Sequence, residues 1–278
     1  MMMEYKNIPY KKVEMRDLYL DIYLPEDKYP PLIMWIHGGG WKELNRTWNL
    51  ALPMLEKGYA VATVDYRYCD EGQFPTQMLD LKDALLFLKK HAEQYGYNGG
   101  KIVVSGDSAG AHLGTLIGVS EGNQDWENTD GDYSVQAVID MCGPTNLQMT
   151  FQGKEGEIDS SVAELLGVSV NSKMALGRAA AASPLTYING NEPPFLILHG
   201  SVDPVVSAEH SRLLRNALEN AGVPVMMYLI PGAFHAFGGK LVTDIMGEFL
   251  DYFLKGINTV ETPEVQRNHC REIPYFKE

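Results

Sequence analysis

The sequence contains little cysteine and no excess of positive charge. Only three of its 278 residues are cysteines, they are far apart, and none forms a CxxC pair; they are Cys69, Cys142 and Cys270. This pattern predicts neither a disulfide framework nor a cysteine zinc site, and free thiols fit a reducing compartment. Lys and Arg number 23 against 36 Asp and Glu, which gives a formal net charge of −13. Nucleic acids and anionic membranes attract clustered Lys and Arg, so neither is predicted as a partner.

Long hydrophobic runs and metal-binding motifs are missing as well. No apolar stretch is long enough to span a bilayer. The N-terminal segment turns polar at Glu4 and has no apolar core of a signal peptide. We therefore predict a soluble, cytoplasmic protein. Neither HExxH nor another His/Asp cluster with ligand spacing occurs, so that no metal or other cofactor is expected.

Short apolar segments bounded by turn residues alternate along the chain with amphipathic segments of helical period. The strand-like segments are 17–25, 30–40, 59–67, 101–107, 135–143, 193–200 and 223–232. The helical patterns lie at 75–96, 207–222 and 240–256. Continuous apolar runs of this length favour strands that are buried on both faces. The alternation predicts an α/β fold, with a mostly parallel central sheet covered by helices on both faces.

No repeat or shift in composition marks a domain boundary, so residues 1–278 are predicted to form a single domain. The segment 144–183 lacks strand character and is interpreted as an insertion between two core strands, a candidate lid. Residues 256–278 have weak periodicity and are interpreted as a C-terminal tail that packs on the core or on a partner. The oligomeric state stays open, with a homo-oligomer as one alternative.

The segment "SGDSAG" (105–110) has a serine between two glycines at the end of a strand. Residues Gly106 to Gly110 fit the pattern G-x-S-x-G, with the strand-like "KIVV" before them and a helical segment after them. Small residues on either side allow the sharp strand-to-helix reversal that projects a nucleophile at the sheet edge. A glycine-rich turn without chemistry explains the pentapeptide alone equally well. We predict Ser108 as the nucleophile and the N–H group of Ala109 as an oxyanion donor.

A second glycine-rich turn, "HGGGW" (37–41), ends the apolar segment "PLIMWI". Consecutive glycines let the backbone approach a substrate closely and direct N–H groups toward it. Gly39 and Gly40 are therefore predicted to supply two further oxyanion donors. His37 is interpreted as a residue that braces the loop. Trp41 is a candidate for binding substrate by stacking on a sugar or an aromatic acyl group, with ordinary packing as the alternative.

Two later segments supply a candidate base and a candidate acid. His235 lies in the glycine-flanked loop "PGAFHAFGG" after the last strand, where an imidazole can accept the serine proton. Asp203 follows the strand of "FLILHGSVDPVV", where its carboxylate can orient that imidazole. Taken alone, His235 could be a surface histidine and Asp203 a helix cap. The order Ser108, Asp203, His235 is that of the α/β-hydrolase fold and differs from the orders of two unrelated serine protease folds.

Together these motifs resemble a known family of esterases. The segments that carry the resemblance include "IHGGGW", "GYAVATVDYRY", "GDSAGAHL", "PPFLILHGSVDPVV" and "PGAFHAF", and the likeness extends over roughly residues 30–255. The chain resembles the α/β-hydrolase esterases of the bifunctional acetyl-xylan/feruloyl esterase-like group, close to the hormone-sensitive-lipase-like esterases. The resemblance implies the same nucleophile, acid, base and oxyanion donors as the residues themselves do: Ser108, Asp203, His235, Gly39, Gly40 and Ala109.

The resemblance also implies a serine carboxylic-ester hydrolase that works through an acyl-enzyme. Only 36 residues precede His37, where hormone-sensitive-lipase-like enzymes carry a longer cap, so an open mouth and short-chain acyl esters are expected. The candidate substrates are small-molecule or oligosaccharide esters, such as acetylated or feruloylated carbohydrates. The alternative is an arylformamidase or another amide hydrolase, since arylformamidases resemble "HGGGW" and "GDSAGAH". A non-catalytic protein of this fold usually lacks a triad residue, and this chain has all three.

Overall fold

The computed structural model describes residues 3–127, 131–257 and 270–272. The strands of the described chain join one sheet and are β1 (Met3–Lys12), β2 (Asp17–Leu24), β3 (Pro31–Ile36), β4 (Ala60–Val64), β5 (Asn98–Asp107), β6 (Ala137–Met141), β7 (Phe195–Gly200), β8 (Val225–Ile230) and β9 (Cys270–Glu272). Their spatial order is β1-β2-β4-β3-β5-β6-β7-β8-β9. β2 pairs antiparallel with both β1 and β4, whereas all later pairs are parallel. The predicted mostly parallel sheet is thus confirmed.

Helices cover both faces of this sheet. They are α1 (Thr76–Lys90), α2 (Ala92–Tyr95), α3 (Ala109–Val119), α4 (Ser160–Leu166), α5 (Ala175–Ala181), α6 (Glu209–Asn220) and α7 (Lys240–Lys255). Along β3, Met34 faces the core cluster that contains the apolar side chains of α1, α3 and α6, whereas Trp35 faces the cluster that contains those of α7. Because successive residues of a strand point to opposite faces, the central strands need apolar residues on both faces, and their few polar residues, such as Ser105 and Asp140, are buried. No helix within the described residues has both the length and the apolar character needed to cross a membrane.

The first strand was not expected from the sequence. β1 alternates poorly in polarity, and its pairing with β2 shifts register between Tyr5 and Ile8 and again between Pro9 and Lys11. Its residues are exposed or half-buried. β1 therefore extends the edge of the sheet, and only its half-buried side chains Tyr5, Ile8 and Tyr10 pack against the border of the core.

The segment predicted as an insertion does lie between two core strands, β6 and β7. It contains α4 and α5, whose apolar side chains Val162, Leu165 and Ala179 are buried in the core cluster. Backbone hydrogen bonds fasten it to its surroundings, from Phe74 N–H to the Leu165 carbonyl (2.9 Å) and from Ser207 N–H to the Phe151 carbonyl (2.7 Å). Whether it acts as a lid stays a prediction.

The predicted C-terminal tail lies largely outside the described residues. Within it, only 256–257 and 270–272 are described. Residues 270–272 form β9, which pairs in parallel with β8. The described strands form one continuous sheet, and the single domain over residues 1–278 stays a prediction.

Candidate active site

Ser108 stands at the junction of β5 and α3, in a conformation that L-residues rarely adopt. Its φ is 53° and its ψ is −120°, and its N–H group donates to the Met141 carbonyl oxygen (2.8 Å). A Cβ atom on Gly106 would lie 2.6 Å from the Ile36 carbonyl oxygen, and one on Gly110 would lie 2.1 Å from the same atom. Both positions therefore require glycine for the strand and the helix to approach β3 this closely. The backbone strain at Ser108 is typical of a functional turn.

Three predicted residues from separate segments lie in one hydrogen-bonded row. Ser108 Oγ lies 2.8 Å from His235 Nε2, and His235 Nδ1 lies 2.7 Å from Asp203 Oδ2. A carboxylate can only accept, so Nδ1 carries the imidazole proton and Nε2 is free to accept from the serine hydroxyl. Each of the three residues follows the carboxyl end of a parallel strand: β5, β7 and β8. Parallel strands end at the same edge of a sheet, so residues far apart in the sequence meet there.

The Asp203 carboxylate is almost completely enclosed by hydrogen-bond donors. Its Oδ1 accepts from the N–H groups of Val205 (2.8 Å) and Val206 (3.0 Å). Its side chain is only 1% exposed. Burial alone would raise the pKa of this carboxyl, but the hydrogen bonds from His199, His235 and Val205 outweigh burial and hold the pKa well below its usual range. Asp203 is therefore ionised at neutral pH.

His199 is a second histidine on this carboxylate, and the sequence did not single it out. It is fully buried at the end of β7, with Nε2 2.9 Å from the Val206 carbonyl oxygen and 3.2 Å from Asp203 Oδ2. Nε2 must be its donor, so Nδ1 accepts from the Ser211 hydroxyl at 2.7 Å. A polar residue ending an otherwise apolar strand, four residues before the acid, was the signal that could have revealed it.

The glycine loop after β3 is fixed to the residue that precedes the nucleophile. Asp107 accepts from the N–H of Gly38 through Oδ1 (3.0 Å) and from the indole N–H of Trp48 through Oδ2 (3.1 Å). Burial raises the pKa of Asp107, and the two hydrogen bonds oppose that rise. Tyr66 adds a hydrogen bond from its hydroxyl to the His37 carbonyl oxygen (3.0 Å). These hydrogen bonds hold the glycine loop against the strand-to-helix turn that carries Ser108.

The three predicted oxyanion donors are Gly39, Gly40 and Ala109. Gly39 and Gly40 have φ values of 94° and 57°, which favour glycine. The carbonyl of Gly39 accepts from the N–H groups of Lys42 and Glu43. Within the described residues the N–H groups of Gly39 and Gly40 make no hydrogen bond of their own. Ala109 begins α3, where N–H groups lack partners inside the helix.

Trp41 does not form an open stacking surface. The residue is 1% exposed, its indole N–H donates to His112 Nδ1 (3.2 Å), and its ring packs edge-on against that imidazole. Phe151 of the insertion contacts it from another side, with ring centroids 6.2 Å apart. The structure favours the alternative that the sequence left open, in which Trp41 is a packing residue, because a buried ring cannot receive a sugar.

Two buried neutral histidines hold the insertion against the core. His112 accepts from Trp41 at Nδ1 and donates from Nε2 to the Ala182 carbonyl (2.8 Å). His210 accepts at Nδ1 from the Thr145 N–H (3.2 Å) and lies 3.3 Å from the Thr150 carbonyl through Nε2. Burial lowers the pKa of each to about 4. Burial also lowers the pKa of His37, which stacks on Tyr66, to about 4.

These three histidines predict a steep loss of stability in acid. Their folded-state pKa values lie below the ordinary value of 6.5, so the unfolded chain binds more protons as the pH falls from 6.5 toward 4. Each histidine then lowers the free energy of unfolding by about 1.4 kcal/mol per pH unit, or about 4 kcal/mol for the three. Urea denaturation at pH 7, 6 and 5 measures this slope. The variant His210→Gln should flatten it by about a third, and equal stability at pH 7 and pH 5 would contradict the prediction.

A buried thiol also lies beside the row of three residues. Cys142 is 1% exposed, and its Sγ lies 3.0 Å from the carbonyl oxygen of His235. Burial, followed by the carboxylates of Asp107, Asp203 and Asp140, raises the pKa of this thiol well above its ordinary value. The thiol is therefore neutral. No sequence pattern connects Cys142 with the site.

Comparisons with known proteins agree with this architecture. Esterase LipQ of Mycobacterium tuberculosis is 28% identical over 253 residues, covering 84% of this chain but 59% of its own length. This chain thus spans little more than half of that relative. Among solved structures, a truncated carbohydrate esterase from gut microbiota superimposes with a TM-score of 0.81 at 27% identity, over 89% of this chain and 94% of the other.

A second solved structure is similar over nearly the whole of both chains. Esterase 2 of Thermogutta terrifontis, phosphorylated by paraoxon, superimposes with a TM-score of 0.70 at 27% identity, over 93% of this chain and 96% of the other. These likenesses confirm the α/β-hydrolase fold and the resemblance to esterases that the motifs indicate. The BD-FAE family model matches residues 20–218, well over half of the chain, and the protein therefore belongs to the BD-FAE family.

Proposed function

We propose that this protein is a serine carboxylic-ester hydrolase that acts on short-chain acyl esters through an acyl-enzyme. The observation that carries the proposal is the hydrogen-bonded row of Ser108, His235 and Asp203 at the carboxyl edge of the sheet. Each group has the protonation state that nucleophilic catalysis needs: a donating hydroxyl, an accepting Nε2 and an ionised carboxylate. The similarity to named esterases supports the same reading.

In the first half-reaction Ser108 Oγ attacks the carbonyl carbon of the ester. His235 Nε2 accepts the hydroxyl proton, and the Asp203 carboxylate stabilises the imidazolium that results. The N–H groups of Gly39, Gly40 and Ala109 are proposed to stabilise the negative oxygen of the tetrahedral intermediate. When that intermediate collapses, the alkoxide leaves with the proton from Nε2, and an acyl group stays on Oγ.

In the second half-reaction water replaces the alcohol. His235 Nε2 removes a proton from the water, whose oxygen attacks the acyl carbon, and the new tetrahedral intermediate uses the same N–H donors. The proton then returns from Nε2 to Ser108 Oγ as the acid departs. Free enzyme is regenerated without net gain or loss of protons by the protein.

The proposed substrates are acetylated or feruloylated carbohydrates, either small molecules or oligosaccharides. Similarity to a carbohydrate esterase over nearly the whole of both chains supports this class. The alternative proposal is amide hydrolysis of the arylformamidase type, because the same three residues can attack an amide carbonyl. The fold alone does not separate these activities.

The test is an activity panel combined with covalent labelling. Purified protein is assayed on p-nitrophenyl acetate, acetylated xylo-oligosaccharides, methyl ferulate and N-formylkynurenine. Paraoxon is then added, which should transfer its diethylphosphoryl group to Ser108 Oγ with release of p-nitrophenol. Peptide mass spectrometry should find that adduct on the tryptic peptide of Ser108. Turnover of N-formylkynurenine without any ester turnover would favour the alternative, and ester turnover that survives complete labelling would refute the proposed nucleophile.

We expect p-nitrophenyl acetate and butyrate to be hydrolysed faster than the decanoate. If an acyl groove were present, each further methylene that it buries would strengthen binding of the ester by about 0.8 kcal/mol. The apolar side chains Val162, Leu165 and Ala179 of the insertion are already buried against the core and are not free to line such a groove. The values of kcat/KM along the acyl series measure this, with butyrate at least about tenfold above decanoate. A value that rises steadily to decanoate would show that the insertion forms an acyl pocket.

A further inference from the structure

The thiol of Cys142 occupies an unusual position immediately after β6. Its φ of 53° is uncommon for a residue with a side chain, and its N–H group donates to the Leu198 carbonyl oxygen (2.9 Å). This conformation directs Sγ to within 3.0 Å of the carbonyl oxygen of His235. The proposed mechanism assigns no task to this thiol.

Cys142, Asp203 and His235 form a compact group of metal ligands. One ligand atom of each residue lies within 4.8 Å of the ligand atoms of the other two. Bonds of about 2.0–2.3 Å from zinc to S, N and O place tetrahedral ligands about 3–4 Å apart. Small side-chain movements therefore suffice to bring all three atoms onto one ion. A thiolate, an imidazole and a carboxylate together are a ligand set that suits Zn²⁺ and Cd²⁺ far better than Mg²⁺.

The charge around this group also favours a divalent cation. Asp107 ends the neighbouring strand β5, and Asp140 lies on β6 two residues before Cys142; both carboxyl groups are buried, and with Asp203 they raise the pKa of the thiol. Asp140 is held by the Thr115 hydroxyl (2.7 Å) and the Gly143 N–H (2.9 Å), which are neutral donors. Buried negative charge that is met by neutral donors is stabilised by a nearby cation.

We propose that Cys142, Asp203 and His235 form an inhibitory binding site for a soft divalent cation such as Zn²⁺ or Cd²⁺. The cation replaces the proton between Asp203 and His235 Nδ1, and the Cys142 thiol releases its proton to solvent. The single imidazole proton then resides on Nε2, the atom that faces Ser108 Oγ. Nε2 becomes a donor and cannot accept the serine proton, so nucleophilic attack stops.

The inhibition experiment rests on the proposed ester hydrolysis. Turnover of p-nitrophenyl acetate is measured against rising Cd²⁺, with Mg²⁺ as the control for a hard cation. The variants are Cys142→Ser, which keeps a donor toward the His235 carbonyl, Cys142→Ala, and Cys69→Ser as the matched control at a half-buried thiol. Each rate is scaled to the same variant without metal. Both Cys142 variants should need more than about tenfold more Cd²⁺ for half-inhibition, whereas Cys69→Ser should behave as wild type.

Direct binding is measured without turnover, so that it can fail independently of the proposed activity. In a Cys69→Ser, Cys270→Ser, Ser108→Ala background, Cd²⁺ should produce the ultraviolet charge-transfer band of a cadmium thiolate at one ion per chain. Adding Cys142→Ser should abolish that band. A band of the same size in both proteins, or equal Cd²⁺ sensitivity of wild type and the Cys142 variants, would overturn the proposal. A band in this background, together with no ester turnover by the wild-type protein, would refute the proposed activity and leave the metal site standing.

Discussion

Replacement of Ser108 by alanine is expected to lower kcat for p-nitrophenyl acetate by about 10⁶-fold. The hydroxyl oxygen is the atom that forms the acyl-enzyme, and no other hydroxyl is hydrogen-bonded to His235 Nε2 within the described residues. The remaining rate would come from the oxyanion donors and from water. The change itself should be tolerated, because alanine keeps the Cβ atom of a residue that already holds φ at 53°.

Ser105 provides the matched control on the same strand. It is fully buried, and its Oγ has no hydrogen-bond partner within the described chain. Ser105→Ala therefore removes the same atom three residues away without loss of a hydrogen bond, and its kcat should stay near that of wild type. Thermal denaturation of both variants separates misfolding from lost chemistry. A loss below about tenfold in Ser108→Ala would contradict the proposed nucleophile.

The central sheet could be predicted because strands that are buried on both faces appear in the sequence as short, nearly continuous apolar runs. The strands β3, β4 and β7 consist of buried residues throughout, so each appears as an apolar run, with Thr63 in β4 and His199 in β7 as the polar exceptions. β1 contains no such apolar run. It has Asn7 with a positive φ and Pro9 within the strand, and it is held by pairing with β2 and by contacts such as the hydrogen bond from the Tyr10 hydroxyl to the Asp65 carbonyl. Interactions made with distant residues leave no local pattern.

The candidate site was likewise predictable where a residue lies in a local sequence pattern. The order and loop positions of Ser108, Asp203 and His235 could be predicted, because the strand-to-helix turn and the strand ends have short sequence patterns. The contacts of His199 and Cys142 could not, since they depend on which side chains of neighbouring strands face each other. The sequence left two alternatives for Trp41, and only its burial beneath Phe151 and beside His112 distinguishes them.

Asp203→Asn is expected to lower kcat by about 10⁴-fold while the fold is retained. The amide has one accepting oxygen and one donating nitrogen, whereas the carboxylate accepts on both sides. On one side it accepts from the backbone N–H groups of Val205 and Val206, and on the other from the imidazole N–H groups of His235 and His199. One pair of donors must therefore face the NH₂ group.

We expect the imidazole of His235 to change its tautomer, because a peptide N–H cannot change from donor to acceptor whereas the imidazole proton can move from one ring nitrogen to the other. With the amide oxygen toward Val205, the NH₂ group donates to Nδ1, and the imidazole proton moves to Nε2. Nε2 then donates toward Ser108 and no longer accepts its proton, so kcat falls while KM changes little. Nitrogen-15 NMR of the imidazole should report the new tautomer, and Asp132→Asn, at an exposed carboxylate paired with Lys89, is the control. An unchanged tautomer together with a loss below about tenfold would contradict the assignment of Asp203 as the residue that orients His235.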